Sequence, residues 1–109
     1  MDWKPLIACF FGGAFFANAM PHLIAGQMGR PFQSPFAKPP GQGFSSSTVN
    51  VVWGAFNLAV AYGLLVRLGH FDIQSLPQVG VAFLGGLLMS LFSARGFGRF
   101  NGGNSPTKV

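Results

Sequence analysis

Few side chains of this sequence could do chemistry, and the most suggestive set is Met20, His22 and Met28. Two thioethers near one imidazole form a soft ligand set that would suit copper. Thioethers in apolar segments are usually packing groups, however, and no thiolate or second imidazole lies nearby. The sequence therefore predicts no metal site, no cofactor and no catalytic residue, and we expect that the protein is not an enzyme.

Asparagines deep in apolar segments are the next candidates. Asn50, Gly54, Asn57 and Ala61 share one face of a helix, and Asn18 lies in an earlier apolar segment. An asparagine amide in hydrocarbon needs a hydrogen-bond partner, because it otherwise stays desolvated. We predict that these amides form hydrogen bonds between helices, and a polar pathway or ligand site is the alternative.

The chain has three long segments that contain no charged residue, 5–29, 39–66 and 73–94, and the candidate residues named above lie in the first two. Each can hold the roughly 20 apolar residues that cross the hydrocarbon layer of a bilayer. Only 8% of the residues are charged, whereas a soluble domain has about 25%. We predict an all-α membrane protein with one three-span domain at 1–95 and a flexible Gly-rich tail at 96–109. The expected transmembrane helices cover about 5–24, 49–68 and 77–94.

The first apolar segment has a second interpretation. Lys4, the apolar run 6–16 and the run 17–19 resemble the charged region, apolar region and small-residue cleavage site of a secretory signal. Cleavage would leave two spans whose most basic segments face outward, against the usual charge rule. We therefore favour a retained first helix.

Prolines and hydroxyl residues predict where the helices bend and begin. Pro21 lacks the amide proton that the previous turn needs, so we expect it to kink or end the first helix. The hydroxyl run 45–48 suits an N-cap of the second helix, and Pro77 suits the first turn of the third. The short connector 69–75 predicts that the second and third helices form an antiparallel hairpin.

Basic residues predict the orientation. With three spans, the N-terminal side carries Lys4 and Arg67, and the opposite side carries Arg30, Lys38, Arg95, Arg99 and Lys108. The positive-inside rule then places the N-terminus outside and the first loop and C-terminus in the cytoplasm, in a multi-pass protein of the cell inner membrane. His22 and His70 fall at opposite faces in this arrangement, too far apart to share a haem. The basic residues are scattered singly, so we expect no nucleic-acid partner.

Small residues at four-residue spacing predict the faces on which the helices pack, since they let backbones approach closely in lipid. The positions that we assign to helix packing are Gly13, Ala17, Ala59, Gly63, Gly86 and Ser90. Three short helices leave much of their surface unshared. We therefore expect contacts with membrane lipid and with other membrane protein subunits or further copies in a homo-oligomer.

The loop between the first and second helices, 26–47, is too long for a simple turn. It repeats proline at four-residue spacing, in Pro31-Phe32, Pro35-Phe36 and Pro39-Pro40. Proline restricts the backbone to extended or turn geometry, and phenylalanines near Arg30 and Lys38 can enter the headgroup region. We predict either a surface that docks a partner or lines an entrance to the bundle, or a lid that covers the helix ends.

Three runs together resemble small uncharacterised bacterial membrane proteins of this length. They are 17–22 (ANAMPH), 29–36 (GRPFQSPF) and 49–57 (VNVVWGAFN). The resemblance covers roughly the first 60 residues and implies a three-helix integral membrane protein without a catalytic role for any position. It also implies a cluster of interaction candidates around one half of the first two helices and their loop: Asn18, His22, Phe32, Phe36, Asn50, Trp53 and Asn57.

The function predicted from the sequence is that of a non-enzymatic accessory or scaffold subunit. Such a protein would pack against a larger membrane partner or self-associate. No carboxylate lies inside a predicted span, which removes the usual sign of a proton-coupled transporter. The alternatives are a holin-like pore-forming protein and a small-molecule carrier that uses the face of Asn18, Asn50 and Asn57.

Overall fold

The structure, a computed structural model, describes residues 2–106 and is built around three long helices. Helix α1 covers Trp3–Gln27, α2 covers Ser47–Tyr62 and continues in a π-helical segment at Gly63–Leu68, and α3 covers Leu76–Asn101. All three are long and apolar enough to cross a membrane. The prediction of three helices of this length and composition is confirmed.

A polar side chain caps the start of each helix. Asp2, Ser46 and Ser75 each accept a hydrogen bond from a backbone amide in the first turn of α1, α2 and α3. These bonds satisfy amides that have no partner inside the helix. The N-cap predicted from the hydroxyl run before α2 is therefore confirmed at Ser46.

Two helices run further than the sequence indicated. Pro21 does not end α1, which continues to Gln27, because a proline removes only one bond of the helical ladder. Helix α3 continues to Asn101, so the first part of the tail that we expected to be flexible is helical, and it ends at Gly102 in the left-handed conformation (φ 76°). The last three tail residues, with Lys108, lie outside the described residues.

Helix α1 is the centre of the bundle. Helices α2 and α3 each pack along it, and within residues 2–106 the two outer helices make marginal contact with each other at most. The second and third helices were expected to form a hairpin, but the connector 69–75 joins two helices that both pack on α1. The reason is that the glycines at which one helix backbone lies closest to another helix all belong to α1 or pack against it.

Glycines set those closest approaches. Gly13 of α1 lies against the carbonyl of Ala82, and Gly85 of α3 lies against the carbonyl of Phe10, so a methyl group on either glycine would overlap backbone atoms. At Gly54 of α2, a methyl group would lie 2.6 Å from the Cγ of Leu23 in α1 and 3.0 Å from its backbone nitrogen. We call the contact surfaces of α1 with α2 and of α1 with α3 the two seams of α1. Each seam therefore contains at least one position where only glycine fits.

The predicted packing residues of α1 and α3 have different surroundings. Gly13 and Gly86 adjoin each other, and a methyl group at Gly86 would lie 3.4 Å from the carbonyl oxygen of Gly13 and 3.9 Å from the Cβ of Ala17. Ser90 is exposed. Packing between α1 and α3 thus uses Gly13, Ala17 and Gly86, whereas Ser90 stays a prediction for contacts with another chain.

Helix α2 packs on α1 through a different face from the one we assigned. Ala59 is exposed, and open space surrounds Gly63. The amides of Asn50 and Asn57 have to be buried against partners, and this requirement turns the small-residue stripe outward. For Ala59 and Gly63, helix packing stays a prediction for contacts between chains. The buried residues of α2 are Asn50, Gly54, Asn57 and Ala61.

The loop between α1 and α2 contains a small antiparallel sheet, so the fold is not strictly all-α. Strand β1 covers Phe32–Gln33 and β2 covers Phe44–Ser45, with Phe32 opposite Ser45. The hydroxyls of Ser34 and Ser45 share a hydrogen bond beside the sheet. Prolines that favour extended and turn geometry explain why this segment forms strands and a turn. We call residues 31–46 the hairpin.

The outer surface of the three helices is apolar. Large hydrophobic side chains are exposed on every helix, and Gly85 is the one buried residue of α3 in the described part of the chain. An apolar surface of this extent suits contact with hydrocarbon or another apolar surface rather than water. The helices are therefore stabilised against one another by close packing and by the polar contacts described next.

Candidate functional site

The interaction candidates that we singled out in the sequence meet at one end of the bundle, under the hairpin. They come from three elements, the C-terminal half of α1, helix α2 and the hairpin. We call this group the polar cluster: Asn18, His22, Phe32, Phe36, Asn50, Trp53 and Asn57. The structure brings all seven together, and what they bind stays a prediction.

Asn50 lies at the centre of the polar cluster and is fully buried. Its Nδ2 lies 3.1 Å from the carbonyl oxygens of Phe32 and Ser46 and 3.2 Å from that of Ser45. Only the amide nitrogen can donate to carbonyls, so the Oδ1 of Asn50 must face His22. One side chain of α2 thereby ties both strands of the hairpin to α1.

The hydrogen bond to Asn50 fixes the proton position on His22. The Nδ1 of His22 lies 2.8 Å from the Oδ1 of Asn50, and the ring is only 2% exposed. Because that oxygen can only accept, Nδ1 carries a proton, and in the neutral imidazole the lone pair is on Nε2. No residue in the described range 2–106 donates to Nε2. The imidazole therefore presents a free acceptor.

Three aromatic rings surround this imidazole edge-on. Its centroid lies 5.6 Å from Phe32, 6.3 Å from Trp53 and 6.0 Å from Phe97. Phe97 also lies 4.8 Å from Phe32 and so brings α3 to the hairpin. Sequence reasoning missed Phe97, because a phenylalanine on a uniformly apolar helix gives no sign of which side it faces.

Trp53 has a buried donor. Its Nε1 has no hydrogen-bond partner within the described residues. Its ring is held between Phe36 of the hairpin, at 5.2 Å, and Phe56 of α2, at 5.7 Å. Leaving a buried N–H without a partner costs about 1–3 kcal/mol. The polar cluster is therefore not fully satisfied by the chain's own groups.

A second hydrogen bond between α1 and α2 lies deeper in the bundle. Asn18 donates from Nδ2 to the Oδ1 of Asn57 at 3.0 Å, and Asn57 donates to the carbonyl oxygen of Trp53 at 2.8 Å. With the bond from His22 to Asn50, this confirms the prediction that the buried asparagines form hydrogen bonds between helices.

A pocket of about 300 Å³ opens between the polar cluster, α3 and the hairpin. Among its described lining residues, Arg99 is the only arginine, lysine or carboxylate. The two carboxylates of the chain, Asp2 and Asp72, lie before α1 and between α2 and α3. Its lining side chains with hydrogen-bonding groups are those of Asn18, His22, Ser34, Gln42, Trp53, Ser93 and Arg99.

An apolar groove of about 880 Å³ adjoins the pocket along α1 and α3. Ser93 and Phe97 line both spaces. The groove contains Met20 and the closely packed glycines Gly13 and Gly86, and most of its other lining side chains are apolar. A polar space and an apolar space therefore meet at one place on α3.

The thioethers and the second histidine lie away from this site. Met20 lines the groove and Met28 is exposed, whereas His22 is buried in the polar cluster. His70 adjoins Asp2 and Lys4 at the other end of α1. In the part of the chain that the structure describes, no three His, Cys, Asp or Glu side chains come close enough to hold a metal ion.

Comparison of the chain with protein-family models, curated proteins and solved structures found no match. The site itself offers an imidazole lone pair, amide and hydroxyl groups, and one guanidinium. These groups bind hydroxyl groups and anions. The arrangement is therefore suited to binding, and the function has to be argued from this site and from the surface of the helices.

Proposed function

We propose that the protein is a non-enzymatic subunit that crosses a membrane three times and packs against another membrane-embedded subunit through α3. The observation that carries this proposal is the one-sided burial of α3. Only 6% of the apolar 18-residue stretch of α3 is buried, against 39% of the corresponding stretch of α1. A helix of this length that touches one neighbour has room for a second.

The outer face of α3 supports the same proposal. Leu84, Leu88 and Leu91 are all exposed and follow a spacing that places them in one row. Gly80, near the start of this row, has open space around it. Small residues beside a leucine row allow the close helix contacts that drive association in lipid. The partner is a larger membrane protein or a second copy of this chain.

The distribution of charge supports an orientation with the N-terminus outside. Arg95 and Arg99 lie in the last turns of α3, and Arg30 and Lys38 lie before and within the hairpin at the same end of the bundle. The opposite end carries Lys4 and Arg67. The positive-inside rule then places the hairpin and the C-terminal end of α3 in the cytoplasm, in the inner membrane of the cell.

The buried asparagines favour a scaffold over a carrier. Asn50 and Asn57 are fully buried and bonded to neighbouring groups, so they are not free to line a path for a solute. The holin-like alternative is separated by experiment. Induced expression of a pore would abruptly abolish the membrane potential, whereas a scaffold would leave it unchanged.

Thiol crosslinking in native membranes tests the proposal. Cys9 is the only cysteine and is buried, so Cys9→Ala gives a background without thiols. Leu88→Cys then places a thiol in the exposed leucine row of α3, and Phe56→Cys places a control at an exposed position near the middle of α2. We expect a discrete crosslinked species several-fold stronger from Leu88→Cys. Monomer alone from both variants would overturn the proposal.

A further inference from the structure

The pocket and the groove together have the shape of a site for an amphiphile. Polar side chains, including that of His22, line the pocket, whereas the groove is mostly apolar. They share the lining residues Ser93 and Phe97, so a molecule that lies against these two side chains is beside both spaces. Its polar end would lie under the hairpin and its apolar end between α1 and α3.

Charge selects the kind of headgroup. Arg99 lines the pocket, with its guanidinium carbon 5.7 Å from the centroid of the Phe100 ring. Asp2 and Asp72, the only carboxylates of the sequence, lie outside the pocket. A guanidinium with no competing carboxylate favours a phosphate, which it can bind with two hydrogen bonds.

The imidazole adds a second requirement. Because Asn50 holds the proton on Nδ1, the Nε2 of neutral His22 can accept a hydrogen bond and cannot donate one. A phosphodiester has no proton to offer it near neutral pH, whereas a hydroxyl does. The headgroup that matches both side chains therefore carries a phosphate and a free hydroxyl.

We infer that the pocket and groove bind one glycerophospholipid whose anionic headgroup bears a hydroxyl. The phosphate lies at Arg99, a headgroup hydroxyl donates to the Nε2 of His22, and an acyl chain lies in the groove. The pocket volume, about 300 Å³, is at the small end of the range of ligand sites. The inference rests on the proposed membrane location but not on a partner at the outer face of α3.

Native mass spectrometry of the full-length protein, delipidated and then titrated with phosphatidylglycerol, tests the inference. We expect one bound lipid per chain, at least ten-fold weaker binding of phosphatidylcholine, and a several-fold loss with phosphatidic acid, which lacks the headgroup glycerol. Equal binding of all three lipids would overturn the inference. Full competition by soluble glycerol 3-phosphate at millimolar concentration would overturn the role of the groove.

Two pairs of variants locate the site. Arg99→Gln is expected to weaken phosphatidylglycerol binding at least ten-fold, and Arg95→Gln, the same change one turn earlier and outside the pocket, by less than two-fold. Gly96→Leu fills the pocket and should abolish binding. Ala55→Leu is its control, since Ala55 is exposed on α2 and lines neither the pocket nor the groove.

Equal losses in both arginine variants would mean attraction to surface charge only, and retained binding in Gly96→Leu would exclude the pocket. The arginine pair decides the question if Gly96→Leu does not fold. The crosslink from Leu88→Cys is measured separately, so failure of lipid binding and failure of the proposed subunit contact are distinguishable.

Discussion

The two seams of α1 are built in different ways. Against α2, α1 uses two side-chain hydrogen bonds, from Asn18 to Asn57 and from His22 to Asn50. Against α3, within residues 2–106, it uses backbone contacts at glycine and no side-chain hydrogen bond. Directional bonds fix both the rotation and the register of a helix, whereas contact between small residues fixes only how close two helices lie.

This difference indicates which part of the molecule is rigid. Asn50 ties α1, α2 and the hairpin into one unit, and α3 reaches that unit through Phe97 and a 3.5 Å contact between Asn101 and Gln33. A helix held by shape alone can shift or accept a partner with little loss of its own contacts. Helix α3 is therefore the helix at which both proposals put a second molecule, the lipid in the groove beside α1 and the subunit on its exposed side.

The largest effect is expected from Asn50→Leu. The substitution has nearly the same volume, but it leaves the Nδ1 of His22 and backbone carbonyls under the hairpin without partners in a buried site. Because each unsatisfied buried group is destabilising, we expect the free energy of unfolding in mixed detergent to fall by about 3 kcal/mol. The hairpin should also become accessible to protease.

Asn104→Leu is the control for that substitution, since Asn104 is exposed beyond the end of α3. Its free energy of unfolding should change by less than about 0.5 kcal/mol. If Asn50→Leu behaved like the control, the seam between α1 and α2 would not depend on directional bonds, and the contrast between the seams would be lost.

A smaller effect is expected from Gly85→Ala, which tests the other seam. The new methyl group would overlap the carbonyl of Phe10, so α3 has to move away from α1. Gly80→Ala gains the same helix propensity in open space. We expect Gly85→Ala to be less stable than Gly80→Ala by about 2 kcal/mol, the usual range for an overpacked contact.

The fluorescence of Trp53, measured in a Trp3→Phe background, shows whether Gly85→Ala acts locally. The sequence has two tryptophans, so one substitution isolates the signal. An unchanged spectrum would mean that α3 shifts while the unit of α1, α2 and hairpin stays folded. A change as large as that of Asn50→Leu would instead mean that the two seams are one cooperative structure.

The contrast between the seams also explains what could be predicted from the sequence. The bonds of the asparagines were predictable because an asparagine in an apolar segment needs a partner, and the spacing of Asn50 and Asn57 shows which face of α2 supplies it, whereas the full polar cluster came from the resemblance. Proline spacing likewise indicated an extended segment between α1 and α2. These signals come from chemical groups with directional requirements.

The rotation of α3 could be predicted only coarsely, because its central residues carry no group with a directional requirement. Its central part offers glycine, leucine and phenylalanine on every side, so a stripe of small residues was the only guide. That stripe contains Gly86, yet the buried glycine is Gly85, one residue earlier and about 100° around the helix. The positions of Phe97 and Arg99, and with them the pocket, depend on this rotation.

The smallest effect is the coupling between Asn18 and Asn57. Asn57 also bonds the carbonyl oxygen of Trp53, so a single substitution changes more than the bond between helices. A double-mutant cycle with Asn18→Leu and Asn57→Leu cancels that contribution, and we expect a coupling of about 0.6 kcal/mol from unfolding titrations. A coupling near zero would mean that the deeper bond adds nothing, so that α1 and α2 are fixed by the contact of His22 with Asn50 alone. The two seams would then differ only under the hairpin and would be alike in the interior, where glycine contacts would hold both.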